Sequence, residues 1–140
     1  MEFERARGEC VSVNRPKNTE FDNQHWRVLI VEDEPILAFA LEGLLVDAGF
    51  EIAGVATRLE KALTIIESGI CNVAILDANL AGISAGPAAS ALAARGLPFL
   101  ILSGYSRDQL PDAFSEALCL QKPCSPERLI EALRSILPTQ

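Results

Sequence analysis

The 140-residue sequence is 49% hydrophobic and 22% charged, with a formal net charge of −7. That length and composition predict one soluble globular domain, large enough to fold without a metal or disulfide staple. The acidic balance argues against a surface for nucleic acid or anionic lipid, and no apolar run approaches the roughly 18 residues of a membrane span.

The opening MEFERARGEC is charged where a secretory leader would be apolar, so a cytoplasmic location is expected. Cys10, Cys71, Cys119 and Cys124 form no CxxC pair, and with His25 as the single histidine no zinc-ligand spacing exists. Reduced thiols are expected.

Residues 1–27 carry five acids (Glu2, Glu4, Glu9, Glu20, Asp22) and five bases (Arg5, Arg7, Arg15, Lys17, Arg27). Their charges cancel and their apolar residues show no period, so a polar, mostly irregular extension is expected. The alternative is a segment that packs on the domain or on a partner through Phe21 and Trp26. Residues 28–140 then form the domain and carry the whole net charge.

From residue 28 the pattern becomes regular. A β-branched run over 28–31 predicts a strand, and Pro35 opens a helix. Ile36, Leu37, Phe39, Ala40, Leu44 and Leu45 are expected on one broad face of that helix, which Gly49 ends. Residues 51–56 alternate as a strand. Leu59, Leu63 and Ile66 mark a second helix, ending near Gly69. Residues 72–77 read as a buried strand, 88–94 as an alanine-rich helix stopped by Gly96, and 98–103 as a fourth strand. Ser106 and Gln109 have capping-box spacing for a fourth helix, which Pro111 shortens. A fifth strand covers 117–121. Ser125 and Pro126 then start a last helix as N-cap and first residue, with Leu129, Ile130, Leu133, Ile136 and Leu137 as its apolar stripe. Strict alternation of this kind predicts an α/β fold: a doubly wound (βα)5 parallel sheet, flavodoxin-like, with strand order 2-1-3-4-5.

Ligands of such a sheet bind at the carboxyl ends of the strands. Glu32, Asp33 and Glu34 follow strand 1, Asp77 ends strand 3, Ser103 ends strand 4, and Lys122 ends strand 5. A run of acids by itself is weak evidence, since surface loops often carry them. Four strands that each place a polar group at the same end are a specific constellation. Carboxylate oxygens suit Mg2+, and a lysine with a hydroxyl suits the oxygens of a phosphoryl group.

The stretches VLIVEDE, VAILDANL, PFLILSGY and LQKPCSPERL together resemble a response-regulator receiver domain over residues 28–138. The resemblance implies Asp77 as phospho-acceptor and Asp33 as a direct Mg2+ ligand, with Glu32 acting through water and Asn79 through its backbone carbonyl. It implies Ser103 as the switch hydroxyl, Lys122 as the phosphate-binding lysine, and a cis bond before Pro123. The Pro98-Phe99 pair and the Leu-Ser-Gly-Tyr run at 102–105 are similar to stand-alone regulators with a Phe-Ala-Thr-Gly-(Gly/Tyr) signature. Serine for threonine keeps the hydroxyl.

Two positions depart from the family. Cys119 stands where most receivers carry a rotating aromatic, and Tyr105 is the candidate replacement, against the plainer reading of a surface tyrosine. Ala81 replaces a common proline and is expected to loosen the loop after Asp77. The resemblance implies a histidine kinase or histidine phosphotransfer protein as phosphoryl donor. With the chain ending at Gln140, output is expected through protein contact or phosphoryl relay, not DNA. The expected surface is 106–137, with Leu110, Phe114 and Leu118 as candidate contacts, against the commoner reading of helix-face apolar residues as core, and a homodimer stays open. No enzyme activity is expected beyond self-phosphorylation and its reversal. A dehalogenase-like phosphatase would need its aspartate on the first strand and a second one at position 79. A flavodoxin would need a hydroxyl-rich loop where EDEP stands. A pseudo-receiver acting as an unphosphorylated binding module is the remaining alternative.

Overall fold

Strand and helix periods alternate along the chain, and the computed structural model shows where they pack; it describes residues 25–104, Phe114 and residues 117–138. The elements are β1 (Arg27–Val31), α1 (Pro35–Asp47), β2 (Glu51–Ala56), α2 (Leu59–Ser68), β3 (Val73–Asp77), β4 (Asn79–Leu80), β5 (Ile83–Ser84), α3 (Gly86–Ala94), β6 (Phe99–Ser103), β7 (Leu118–Gln121) and α4 (Pro126–Ile136). The five long strands form one parallel sheet in the order β2-β1-β3-β6-β7. Counted as long strands alone, this is the doubly wound 2-1-3-4-5 order.

Successive side chains of a strand point to opposite faces, so each central strand feeds two cores. Leu29, Val31, Leu76 and Ile101 join Ile66 of α2 and Leu92 of α3 on one face. Val28, Ile30, Ile75 and Leu100 join Leu45 of α1 and Leu133 of α4 on the other. Each fully buried leucine or isoleucine contributes about 1.5–3 kcal/mol of apolar transfer. The strands therefore read as unbroken apolar runs, and their polar residues are displaced to the ends.

The ends of the helices follow their local chemistry. Gly69 at the end of α2 adopts a left-handed φ of 80°. Ser125 caps α4 by accepting a hydrogen bond from the Arg128 backbone N–H at 3.2 Å, with Pro126 in the first turn. Leu129, Leu133 and Leu137 are buried along α4, with Ile130 and Ile136 half-buried beside them.

Three expectations are corrected. First, α1 does not gather its apolar residues on one buried face: Ile36 is 82% and Phe39 79% exposed, while Ala38 and Leu45 face the core. The helix is apolar all round, so its periodicity carried no direction. Second, the segment after Asp77 is not loosened at Ala81. It forms a two-stranded antiparallel hairpin pairing Asn79 with Ser84 and Leu80 with Ile83. Ala81 and Gly82 take φ values of 54° and 90° in its two-residue turn, as a type I′ turn requires. Third, Phe114 is not a surface contact; it is buried in the α2/α3-side core, whereas Leu118 is exposed. Tyr105, Leu110, the helix expected from Ser106 and residues 1–24 lie outside the described residues.

Proline cannot adopt the positive φ of residue 81. Ala81→Pro is therefore expected to destabilise the protein by about 2 kcal/mol or more, read as a lower urea midpoint. An unchanged midpoint would mean that the hairpin turn does not hold in solution.

Candidate functional site

Sheet order decides which chain ends meet. β1 and β3 are adjacent, with Val31 in register with Leu76, so the residues that follow them emerge side by side. Glu32 is tied to β2 by its backbone N–H, which donates to the Ala56 carbonyl at 3.0 Å. Its carboxylate accepts from the Glu34 N–H at 3.2 Å, which aims it inward. Asp77 is the last residue of β3 and accepts from the Asn79 N–H at 3.2 Å. Glu32 is 1% and Asp77 7% exposed. Asp33, half-buried, completes a group whose carboxylate oxygens lie within 4.8 Å of one another.

Lys122 arrives from the far side of the sheet. Its backbone N–H donates to the Ser103 carbonyl at 2.7 Å, which continues the β6–β7 ladder past Gln121. The Lys122–Pro123 peptide bond is cis. The Lys122 ammonium reaches Asp77 at 3.1 Å and Glu32 at 3.3 Å, bridging both acids. Ser103 is buried at the end of β6, one residue beyond Leu102, which pairs with Asp77.

A buried carboxyl beside a second carboxylate is harder to ionise. Burial, then the charge of Asp77, pushes the Glu32 carboxyl from 4.5 up to about 7, against the opposing pull of the Glu34 N–H and Lys122. Burial alone would lower Lys122, but the hydrogen bond and charge of Asp77, followed by Glu32, raise it. The lysine is thus held as a cation between the acids.

The oxygen-only donor set of Glu32, Asp33 and Asp77 could hold a metal ion. Oxygens on one Mg2+ sit about 3 Å apart when adjacent and about 4 Å apart when opposite. A cluster spanning 4.8 Å fits with a small contraction or an intervening water.

Sequence order thus brings Glu32, Asp33, Asp77 and Lys122 into one pocket, with Ser103 on its rim. Asn79 lies beside it in β4, and its side chain has a role that went unread. The Asn79 Oδ1 accepts from the Gly82 N–H at 2.6 Å and closes the hairpin turn. The Asn-x-x-Gly spacing was the available signal. The anchoring of Glu32 by Ala56 was also missed, and no local pattern announces it.

Comparison with known proteins identifies the family and the fold. Residues 28–134 match the family described as Response regulator receiver domain. The chain is 31% identical over 111 residues to the transcriptional regulatory protein PdtaR of Mycobacterium tuberculosis, covering 76% of this chain and 54% of that protein. It is 30% identical over 116 residues to BvgA of Bordetella pertussis, named a virulence factors putative positive transcription regulator, covering 78% of this chain and 53% of that one. The chain spans about half the length of these curated relatives. Among solved structures, SdrG of Sphingomonas melonis Fr1 is 38% identical with a TM-score of 0.70, covering 81% of this chain and 97% of that one. A CheY-like receiver domain from Methanospirillum hungatei shares the fold at a TM-score of 0.70 and 23% identity, covering 79% and 91%.

A carboxyl with a folded value of about 7 and an ordinary value of 4.5 favours the folded state while protonated. That contribution is complete below the ordinary value and is lost as pH rises through the folded one. With a chelator present, the urea midpoint is expected to fall more between about pH 5 and about pH 8 in the wild type than in Glu32→Gln. Parallel pH profiles would contradict this reading of Glu32.

Proposed function

The chain belongs to the response-regulator receiver family, and on that premise we propose that it is a phosphorylatable receiver of two-component signalling. Asp77 takes the phosphoryl group from a phosphohistidine on a sensor kinase or phosphotransfer protein. Asp33, Asp77, the backbone carbonyl of Asn79 and, through water, Glu32 hold Mg2+. The observation that carries this reading is the Lys122 ammonium, 3.1 Å from Asp77 and 3.3 Å from Glu32 at the carboxyl end of the sheet.

Mg2+, when bound, supplies positive charge against the oxygens of the transferring group. The remaining work falls to the chain's own side chains. An Asp77 oxygen bonds to phosphorus as the phosphorus–nitrogen bond of the donor breaks, and the electron pair leaves with the imidazole. Lys122, already held beside Asp77, neutralises charge on the arriving oxygens. The product carries nearly two negative charges and three strong acceptor oxygens. Ser103 is buried one residue beyond Leu102, the register partner of Asp77, and in this reading its hydroxyl donates to one of those oxygens. That new bond biases the ends of β6 and β7 between two arrangements, and hydrolysis of the acyl phosphate reverses it.

In this reading the chain is of the stand-alone signature type, which Pro98-Phe99 and Ser103-Gly104-Tyr105 support. In that reading Tyr105 takes the part of the aromatic that Cys119 replaces. Output runs through protein contact at residues 106–137 or through phosphoryl relay. The chemistry goes no further than the domain's own phosphorylation and dephosphorylation. No described helix is long and apolar enough to cross a membrane.

The test is incubation with Mg2+ and acetyl phosphate followed by intact-mass analysis. The wild type is expected to gain one phosphoryl group and Asp77→Asn none. Lys122→Ala is expected to react at least about tenfold more slowly. A gain in Asp77→Asn would name the wrong acceptor. No gain in folded wild type with either acetyl phosphate or phosphoramidate would favour the unphosphorylated binding module.

A further inference from the structure

The β4–β5 hairpin follows Asp77 directly and consists of two residue pairs and a two-residue turn. Strands this short are marginal on backbone pairing alone. Leu80 anchors the hairpin in the α2/α3-side core. The Ser84 hydroxyl accepts from the Gly86 N–H at 3.0 Å, which ties the return strand to the start of α3. The Asn79 Oδ1 accepts from the Gly82 N–H at 2.6 Å, across the turn itself. That bond supports an awkward place in the chain. Ala81 holds a φ of 54°, a region that a residue with a Cβ seldom adopts.

Hydrogen-bond parity fixes where the Asn79 main chain points. Leu80 and Ile83 flank the two-residue turn and form a hydrogen-bonded pair. Ala78 and Ala85 form the next one, with the Ala85 N–H donating to the Ala78 carbonyl at 3.0 Å. Asn79 and Ser84 lie between them as a non-hydrogen-bonded pair, so their N–H and C=O groups point outward from the hairpin. The Asn79 N–H uses that outward edge to donate to Asp77 Oδ1 at 3.2 Å. Its carbonyl lies on the same edge of the strand, outside the hairpin ladder and turned to the side of the acidic pocket. Asn79 thus presents its main chain to the pocket and its side chain to the turn.

We propose that the Asn79 carboxamide is a positioning residue for Mg2+. It touches neither the ion nor the phosphoryl group. By holding the turn closed it fixes the edge of β4 that carries the Asn79 carbonyl, and so sets how tightly the ion is held. This role rests on the Mg2+ site proposed above and adds to it a side chain that the site itself does not use.

Titration of Mg2+ into the unphosphorylated chain, followed by amide NMR, tests this with no phosphoryl donor present. Asn79→Ala removes the acceptor and keeps the main chain. It is expected to weaken Mg2+ binding about tenfold, with β3 amide shifts retained as the check on the fold. Adding Ala81→Asn to Asn79→Ala gives the turn an Asn-Gly pair, which favours the same left-handed conformation without the Oδ1 contact. The double variant is expected to recover affinity to within about threefold of the wild type. An Asn79→Ala affinity within about twofold of the wild type would overturn the positioning role and leave the metal site standing. So would a loss that Ala81→Asn does not recover, since the side chain would then act on the ion directly. Asp33→Asn separates this from failure of the site. No Mg2+ binding in the wild type, or binding that Asp33→Asn leaves unchanged, would overturn the metal site and the positioning role with it.

Discussion

The pocket depends on one lysine held between two buried acids. Glu32 and Asp77 are delivered side by side because β1 and β3 are neighbours, and burial makes the Glu32 charge costly. Lys122 offsets part of that cost from the far edge of the sheet. The same β2-β1-β3-β6-β7 order that builds two apolar cores therefore concentrates polar groups at one end.

This arrangement is poised for incoming charge. The Glu32 carboxyl is raised first by burial and then by the charge of Asp77, and Lys122 offsets only part of this. On the proposed function, a divalent cation would relieve that imbalance and a phosphoryl group would restore it in another place. On the same reading, a site balanced in this way would couple metal, phosphoryl group and lysine position, which is the physical content of a switch. Ser103 and Lys122 share a backbone hydrogen bond, so a change at either is felt at both β6 and β7.

Much of this was legible in the sequence because burial on both faces forces strands to be apolar throughout. Any polar residue at their carboxyl ends then stands out, as Asp77 after Val73-Ala74-Ile75-Leu76 does. The α4 stripe was legible for a related reason: its outer residues are charged, so its period has a direction. α1 failed on the same criterion, since Ile36 and Phe39 are as apolar as the core residues between them. Nothing local separates a leucine that faces the sheet from a phenylalanine that faces solvent. The hairpin after β3 was hidden because an alanine seldom adopts the positive φ that Ala81 takes beside Gly82.

The central claim is that Glu32, Asp33, Asp77, Ser103 and Lys122 act as one Mg2+-dependent phosphoryl site. Amide NMR with beryllium fluoride, a phosphoryl mimic, tests it most directly. With Mg2+ present, shifts are expected to concentrate at residues 32–34, 77–79, 103–104 and 122–123, and to vanish in Asp77→Asn. Shifts that persist without Mg2+, that survive Asp77→Asn or that fall away from these strand ends would contradict the account.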